Sequence, residues 1–167
     1  MKKILFVGLL LISTLSYAQV EKGDISATAS ISFSSIKAEG ADAQNSSTIY
    51  VRGGYFFTDN IEAGLTVLVS GSADVTATGF GPYAVYNFLT ANGKFLPYVG
   101  GNFYSYNTGI EGVDAINQIG GFGGFKYFLT EVVNVDTSLN YTSWLGDFSG
   151  SSLQLNVGIG INFGKLN

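Results

Sequence analysis

The 167-residue chain has no cysteine and no histidine. Without cysteine there is no disulfide, no iron–sulfur cluster and no thiolate metal site. Without histidine it lacks the commonest general base and the commonest zinc ligand. Charge is scarce as well: charged residues make up 12% of the chain, about half the usual share of a soluble domain. The 8 Lys and Arg are outnumbered by 12 Asp and Glu, which argues against a nucleic-acid partner. Long apolar runs are missing beyond the first residues, although hydrophobic residues reach 46% and mean hydropathy is +0.28. The apolar content must therefore be dispersed along strands.

The N-terminus reads as a secretory signal peptide over residues 1–18. Lys2 and Lys3 give a basic start, Ile4 to Ile12 an apolar core, and Ser16-Tyr17-Ala18 a small-x-small cleavage site before Gln19. The apolar run is about half of the ~20 residues a spanning helix needs, so cleavage rather than anchoring is expected. Residues 19–167 then form one domain with 6 basic and 12 acidic side chains.

Ser152 to Phe163 carry the clearest signal in that domain. Leu153, Leu155, Val157, Ile159, Ile161 and Phe163 fall on one face, and Ser152, Gln154, Asn156, Gly158, Gly160 and Asn162 on the other. Period-two alternation is a β-strand with one apolar face. A strand against bulk water usually carries Lys, Glu or Arg on its second face. Here that face holds small neutral groups suited to an enclosed interior, so the pattern is that of a transmembrane barrel, apolar outside and polar inside.

Parity lays out eight strands: Asp24–Ile36, Thr48–Phe57, Ile61–Ser70, Thr76–Phe88, Phe95–Tyr106, Ile116–Leu129, Val133–Trp144 and Ser152–Phe163. Each meets the ~9–11 residues a tilted membrane strand requires. The connections Thr58–Asn60, Leu89–Lys94 and Thr130–Val132 are short; Lys37–Ser47, Asn107–Ala115 and Leu145–Gly150 are longer, with Gly71–Val75 a shorter exception. That asymmetry places short turns and both mature termini on the periplasmic side. Phe57, Tyr86, Phe88, Phe95, Tyr127 and Phe163 sit at strand ends beside the short turns and face outward, as an aromatic girdle at one interface would. Phe33, Phe103 and Trp144 would supply a thinner one at the far side.

The segments Gly81-Pro82-Tyr83-Ala84-Val85-Tyr86-Asn87-Phe88, Leu96-Pro97-Tyr98-Val99-Gly100-Gly101 and Gly124-Phe125-Lys126-Tyr127-Phe128-Leu129-Thr130 resemble those of small eight-stranded outer-membrane barrels, the OmpA/OmpX/OmpW-like group of Gram-negative bacteria. The likeness spans almost the whole mature chain and marks a fold rather than an activity. One departure is the ending: family members often finish on the terminal aromatic, whereas Gly164-Lys165-Leu166-Asn167 follow Phe163 here.

Five charges fall on the inward face: Asp24, Arg52, Glu62, Lys126 and Asp136. Counting from the Thr130–Val132 turn sets Lys126 opposite Asp136, and cross-strand partners lie ~5 Å apart at Cβ, so an ion pair between them is expected. Arg52 sits at mid-height, where Glu62 reaches it only diagonally. This set is either a charged constriction that filters ions or part of a side-chain plug. The plug is favoured because eight strands enclose a space that side chains can fill, and Tyr50, Phe56, Tyr83, Tyr98, Tyr104 and Phe122 also point inward.

Two other motifs carry less. Gly79-Phe80-Gly81-Pro82-Tyr83-Ala84 matches a dinucleotide fingerprint in form, but the match needs a following helix and here an alternating strand follows. Glu39, Asp42, Asp74, Glu111, Asp114 and Asp147 lie in the loops without the ligand spacing of a calcium loop, and read as a solvated acidic rim. Small barrel enzymes that modify lipid or cleave peptides resemble this architecture, but those families typically rely on a catalytic histidine, which this chain lacks. An Asp–Asp or Ser–Lys arrangement stays open, and no particular set stands out.

The expectation is thus an all-β protein, an eight-stranded antiparallel up-and-down transmembrane β-barrel of the cell outer membrane. It is expected to be monomeric and non-enzymatic, with no cofactor or metal, outer-membrane lipid around it, and its long loops available to a surface partner. A narrow pore for ions or small solutes is the alternative. A soluble periplasmic β-barrel or lipocalin-like binder, with the apolar face turned inward, is a second.

Overall fold

Alternating sequences of this kind can satisfy both of their faces only by closing, and a computed structural model of the chain is a closed barrel. It describes residues 20–36, 44–72, 75–91, 93–107, 115–145 and 150–164. The leader expected over residues 1–18, the loop carboxylates Glu39, Asp42, Asp74, Glu111, Asp114 and Asp147, and residues 165–167 lie outside the described residues.

The strands are β1 (Ile25–Ile36), β2 (Gln44–Phe56), β3 (Ile61–Ser72), β4 (Val75–Asn87), β5 (Phe95–Asn107), β6 (Ile116–Phe128), β7 (Val133–Leu145) and β8 (Ser151–Phe163). All neighbours are antiparallel and consecutive, and β1 closes on β8 from Ile25↔Phe163 to Phe33↔Leu155. β2 starts four residues earlier than parity suggested, because its ladder with β1 continues through Ser35↔Asn45 and Ile36↔Gln44. Thirteen residues at ~3.4 Å each, tilted by ~40°, rise roughly 33 Å. An apolar band ~25 Å tall leaves the strand ends outside it, so polar Gln44–Ser47 can pair without being apolar.

Two short turns use the same device. Thr58 Oγ1 accepts from the Ile61 amide at 3.0 Å, and Thr130 Oγ1 from the Val133 amide at 2.9 Å. The backbone closes beside them through Phe57 N to Ile61 O and Leu129 N to Val133 O, at 2.9 and 2.8 Å. A threonine hydroxyl that takes an amide three residues on fixes the register of β2 with β3 and of β6 with β7. The β4–β5 connection is tied by Asn60 Nδ2 to Asn87 O at 2.8 Å and by the Thr90 hydroxyl to Phe95 O.

The two faces separate as the sequence requires. Outward positions such as Leu65, Phe80, Leu153 and Ile159 are at least 60% exposed, whereas Phe56, Leu68, Thr66, Asn134 and Asn140 on the inner face are fully buried. Inside, the buried rings come from β2, β4, β5 and β6, while β1, β7 and β8 contribute mostly small polar groups. One wall therefore supplies volume and the other leaves room for it.

Three apolar tiers fill the barrel. The floor is Val20, Phe56, Leu96 and Phe128 with Leu89 against it; the middle is Tyr83, Val85, Tyr98 and Phe122; the top is Tyr50, Leu68 and Tyr104 with Tyr106 beside it. The chain before β1 folds under the floor. Gly23 turns at a φ of 100°, its amide donates to Phe56 O at 2.9 Å, and the Lys22 amide reaches Asp59 Oδ1 at 2.8 Å. Val20 is thereby fully buried. Replacing Val20 with Ala deletes two buried carbon atoms and is expected to destabilise the barrel by about 1.5 kcal/mol. The check is a lower urea midpoint for loss of the heat-modifiable gel band in lipid vesicles.

Candidate functional site in the barrel lumen

Between floor and middle tier lie the inward charges. Glu62 of β3 is 3% exposed, and its two oxygens are both engaged. Lys126 Nζ donates to Oε2 at 2.8 Å, while Ser26 Oγ and Tyr83 OH donate to Oε1 at 2.6 and 2.7 Å. Three donors from β1, β4 and β6 thus converge on one carboxylate. Such charge-assisted bonds are the arrangement that makes a buried charge tolerable.

The strand register sets Lys126 opposite Asp136, as counted from the turn, but the ion pair formed is a different one. Lys126 reaches across the barrel to Glu62, and Asp136 accepts from Tyr98 OH at 2.5 Å. Register fixes neighbours within the sheet and says nothing of strands that face each other across a closed lumen. A lysine long enough to cross finds there a carboxylate already held by two hydroxyls. The ammonium also lies 5.6 Å from the Phe56 ring centre and 5.9 Å from that of Tyr98.

Arg52 is buried without an ion pair among the described residues. Its guanidinium lies over the Phe122 ring at 4.8 Å and 5.7 Å from the Tyr83 ring centre, which suits its planar, weakly hydrated cation. Arg52, Lys126, Glu62 and Asp136 line one cavity with Thr28, Tyr83, Val85 and Tyr98. The space open to water centres there is about 10 Å³, room for a single water at most. Asp24 stands apart, near the floor, where its Oδ2 accepts from the Glu21 amide at 2.8 Å.

Close packing here depends on Gly54 of β2. A Cβ at that position would sit 2.6 Å from Glu62 Oε1 and 2.7 Å from Ser26 Oγ, and would press on the Tyr83 hydroxyl. Gly54→Ala is therefore expected to displace the donors of Glu62 and to destabilise the barrel by ~1–3 kcal/mol, the usual range for overpacking. A urea titration in vesicles reads the loss; an unchanged midpoint would show that the donors can move freely.

Of the residues expected at the short-turn interface, Phe57, Tyr86, Phe88, Phe95, Tyr127 and Phe163 are all outward and exposed. Tyr86 stacks edge-on with Phe88, and Phe95 lies against Phe125, with ring centres 5.1 and 5.0 Å apart. At the far end Phe33 and Phe103 face outward, but Trp144 does not join them. It follows Asn140 and Thr142 on the inward parity of β7 and faces Gln118 across the β6–β7 ladder. The donor roles of Ser26, Tyr83 and Tyr98 were not legible beforehand, because parity places a residue inside without naming what it meets.

A family model for the outer membrane protein β-barrel domain matches residues 4–163. The chain belongs to that family. It is an outer-membrane protein, and similar folds among solved structures agree. The N-terminal β-barrel domain of Pseudomonas aeruginosa OprF aligns with a TM-score of 0.65 at 20% identity, covering 85% of this chain and 98% of that one. Neisserial surface protein A aligns at 0.66 and 16%, covering 84% and 97%. Ail, the attachment invasion locus protein of Yersinia pestis, aligns at 0.53 and 14%, covering 85% and 99%. No curated protein sequence gives a match.

Proposed function

We propose that this outer-membrane barrel is a structural and surface-interaction protein, non-enzymatic, whose lumen is closed by its own side chains. The observation that carries this reading is the saturated Glu62 carboxylate, bonded to Lys126, Ser26 and Tyr83 between two tiers of rings. Groups so mutually engaged are poor candidates for moving a proton to a substrate, and the cavity beside them admits about one water. Export precedes insertion, with cleavage after Ala18 giving a mature chain that begins at Gln19. The aromatic girdle then rests at the periplasmic interface, and the loops meet the medium. Fold relatives named for the cell surface and for attachment are in keeping with this role.

A narrow pore is the second reading. The polar wall of β1, β7 and β8 speaks for it, as does Arg52, which has no ion pair among the described residues. Planar-bilayer recording separates the two. The filled barrel is expected to give no discrete conductance steps, and Arg52→Ala or Lys126→Ala to leave the recording silent or create new leaks. Reproducible steps in the unaltered protein, changed in size by either substitution, would overturn the proposal.

A further inference from the structure

Of the four charges around the central cavity, two hold each other and two do not. Lys126 and Glu62 are joined directly at 2.8 Å. Arg52 is 7% exposed, its Nε–H is buried without a partner, and its guanidinium makes no hydrogen bond among the described residues. Asp136 is 6% exposed and takes one hydrogen bond, from Tyr98 to Oδ1. Its Oδ2 accepts none among the described residues. A buried donor lacking an acceptor and a buried acceptor with an oxygen to spare therefore line the same space.

The strand register explains why that space exists. Arg52 opposes Thr28 in the β1–β2 ladder, Thr28 opposes Gly160 of β8, and Asp136 opposes Gly158. At this level β8 carries no side chain, and no β8 residue lines the cavity. The floor tier closes the barrel below, and the tier of Tyr50, Leu68 and Tyr104 closes it above. The room for water centres between them, about 10 Å³, holds one water.

We infer that this cavity is the site of one resident water, which accepts from the Arg52 guanidinium and donates to Asp136 Oδ2. The occupant has to accept on one side and donate on the other, and a bridging water does both. Chloride would satisfy Arg52 but press a second negative charge on Asp136. Sodium would do the reverse against Arg52 and Lys126. Two charges of each sign line the site, so no net charge repays the dehydration of an ion. Dry cavities are those with apolar linings; here dryness would leave a charged donor unbonded at its full desolvation cost. The Thr28 hydroxyl, which also lines the space, supplies a third partner. Arg52 and Asp136 then form a water-bridged pair between β2 and β7, beside the direct pair between β3 and β6. Each tie joins strands three steps apart around the closed wall. The inference rests on the filled-lumen reading above, since an open channel would hold freely exchanging water instead.

Arg52 is the sole arginine of the chain, so labelling with ¹⁵N-arginine leaves a single Nε–H in the spectrum. The barrel is refolded in deuterated detergent micelles, and nuclear Overhauser transfer from the water line to Arg52 Hε is recorded. A cross-peak with the sign of long residence is expected. Thr28→Val keeps the shape of the lining but removes a hydroxyl whose own exchange could imitate a water, and should retain the peak. Val85→Ile or Val85→Leu, whichever keeps heat-modifiable migration, adds carbon to the lining and should abolish it. Replacing sodium chloride with sodium sulfate should leave the Arg52 resonances unmoved. The inference is overturned by any of four results: no cross-peak in the unaltered barrel, its loss in folded Thr28→Val, its survival in the folded Val85 variant, or a chloride-dependent shift. The last would put a halide in the site. An Hε line erased by rapid exchange with bulk water overturns it as well. Conductance steps in the bilayer recordings would instead strike the filled-lumen reading, whereas silent recordings with no cross-peak strike the water bridge alone.

Discussion

Replacing Lys126 with methionine while Glu62 remains is expected to destabilise the barrel by ~3–5 kcal/mol, the range for stranding one member of a buried ion pair. The reason is local. Glu62 would keep Ser26 and Tyr83 on one oxygen and lose the Lys126 ammonium on the other. Adding Glu62→Gln to Lys126→Met should recover more than half of the loss. A neutral amide still accepts from the two hydroxyls and no longer needs a counter-charge. Urea titrations of the four variants in vesicles give the coupling directly. A Lys126→Met loss below about 1 kcal/mol would place the pair in the range of exposed, hydrated ion pairs. Asp136 makes a useful contrast, because its partner is the Tyr98 hydroxyl rather than Lys126. Tyr98→Phe is expected to cost less than Lys126→Met, since it removes one hydrogen bond and no charge.

On the outer surface the largest effect is expected at mid-strand. Val67 lies in the middle of β3 and is exposed to the surroundings of the barrel. Val67→Arg puts a cation near the bilayer midplane and is expected to destabilise by ~2–4 kcal/mol. Ile61→Arg, at the short-turn end of the same strand, lies near the interface, where the same change is worth only ~0–1 kcal/mol. Comparing two sites on one strand removes differences in strand propensity from the comparison. Equal losses at the two positions would mean that depth in hydrocarbon is not what sets them.

How much of this was legible in the sequence follows from what alternation can and cannot encode. Strands β1, β3 and β8 read cleanly, because Ser, Thr, Asn and Gln on one face oppose Ile, Leu and Val on the other. Strands β4 to β6 read poorly, because glycine occupies both faces. The reason lies inside the barrel: a side chain at Gly100 would crowd the Phe122 ring, and one at Gly120 the side chains of Asn102 and Thr142. Those glycines answer the volume of their cross-strand partners on the adjacent strands, Phe122 opposite Gly100 and Asn102 and Thr142 opposite Gly120, which no pattern within one strand reports. The register of Lys126 with Asp136 was likewise countable, since it depends only on the turn at Thr130. The Lys126–Glu62 pair was not, since it depends on which strands face each other after closure. Trp144 was misplaced for a simpler reason. Aromatic residues at strand ends usually mark an interface, and here the inward parity of β7 overrides that habit.

Outward rows in hydrocarbon and inward rows sealed from water are both tested by one scan along β8. The chain has no cysteine, so single cysteines can be placed from Leu153 to Asn162, spin-labelled and compared for collision with molecular oxygen and with a water-soluble nickel chelate. Positions 153, 155, 157, 159 and 161 are expected to meet oxygen and not nickel, and positions 156, 158, 160 and 162 to be shielded from both. Nickel reaching the even positions throughout the strand would reveal a water-filled channel and contradict the sealed lumen. Nickel reaching the odd positions would take the apolar face out of the membrane altogether.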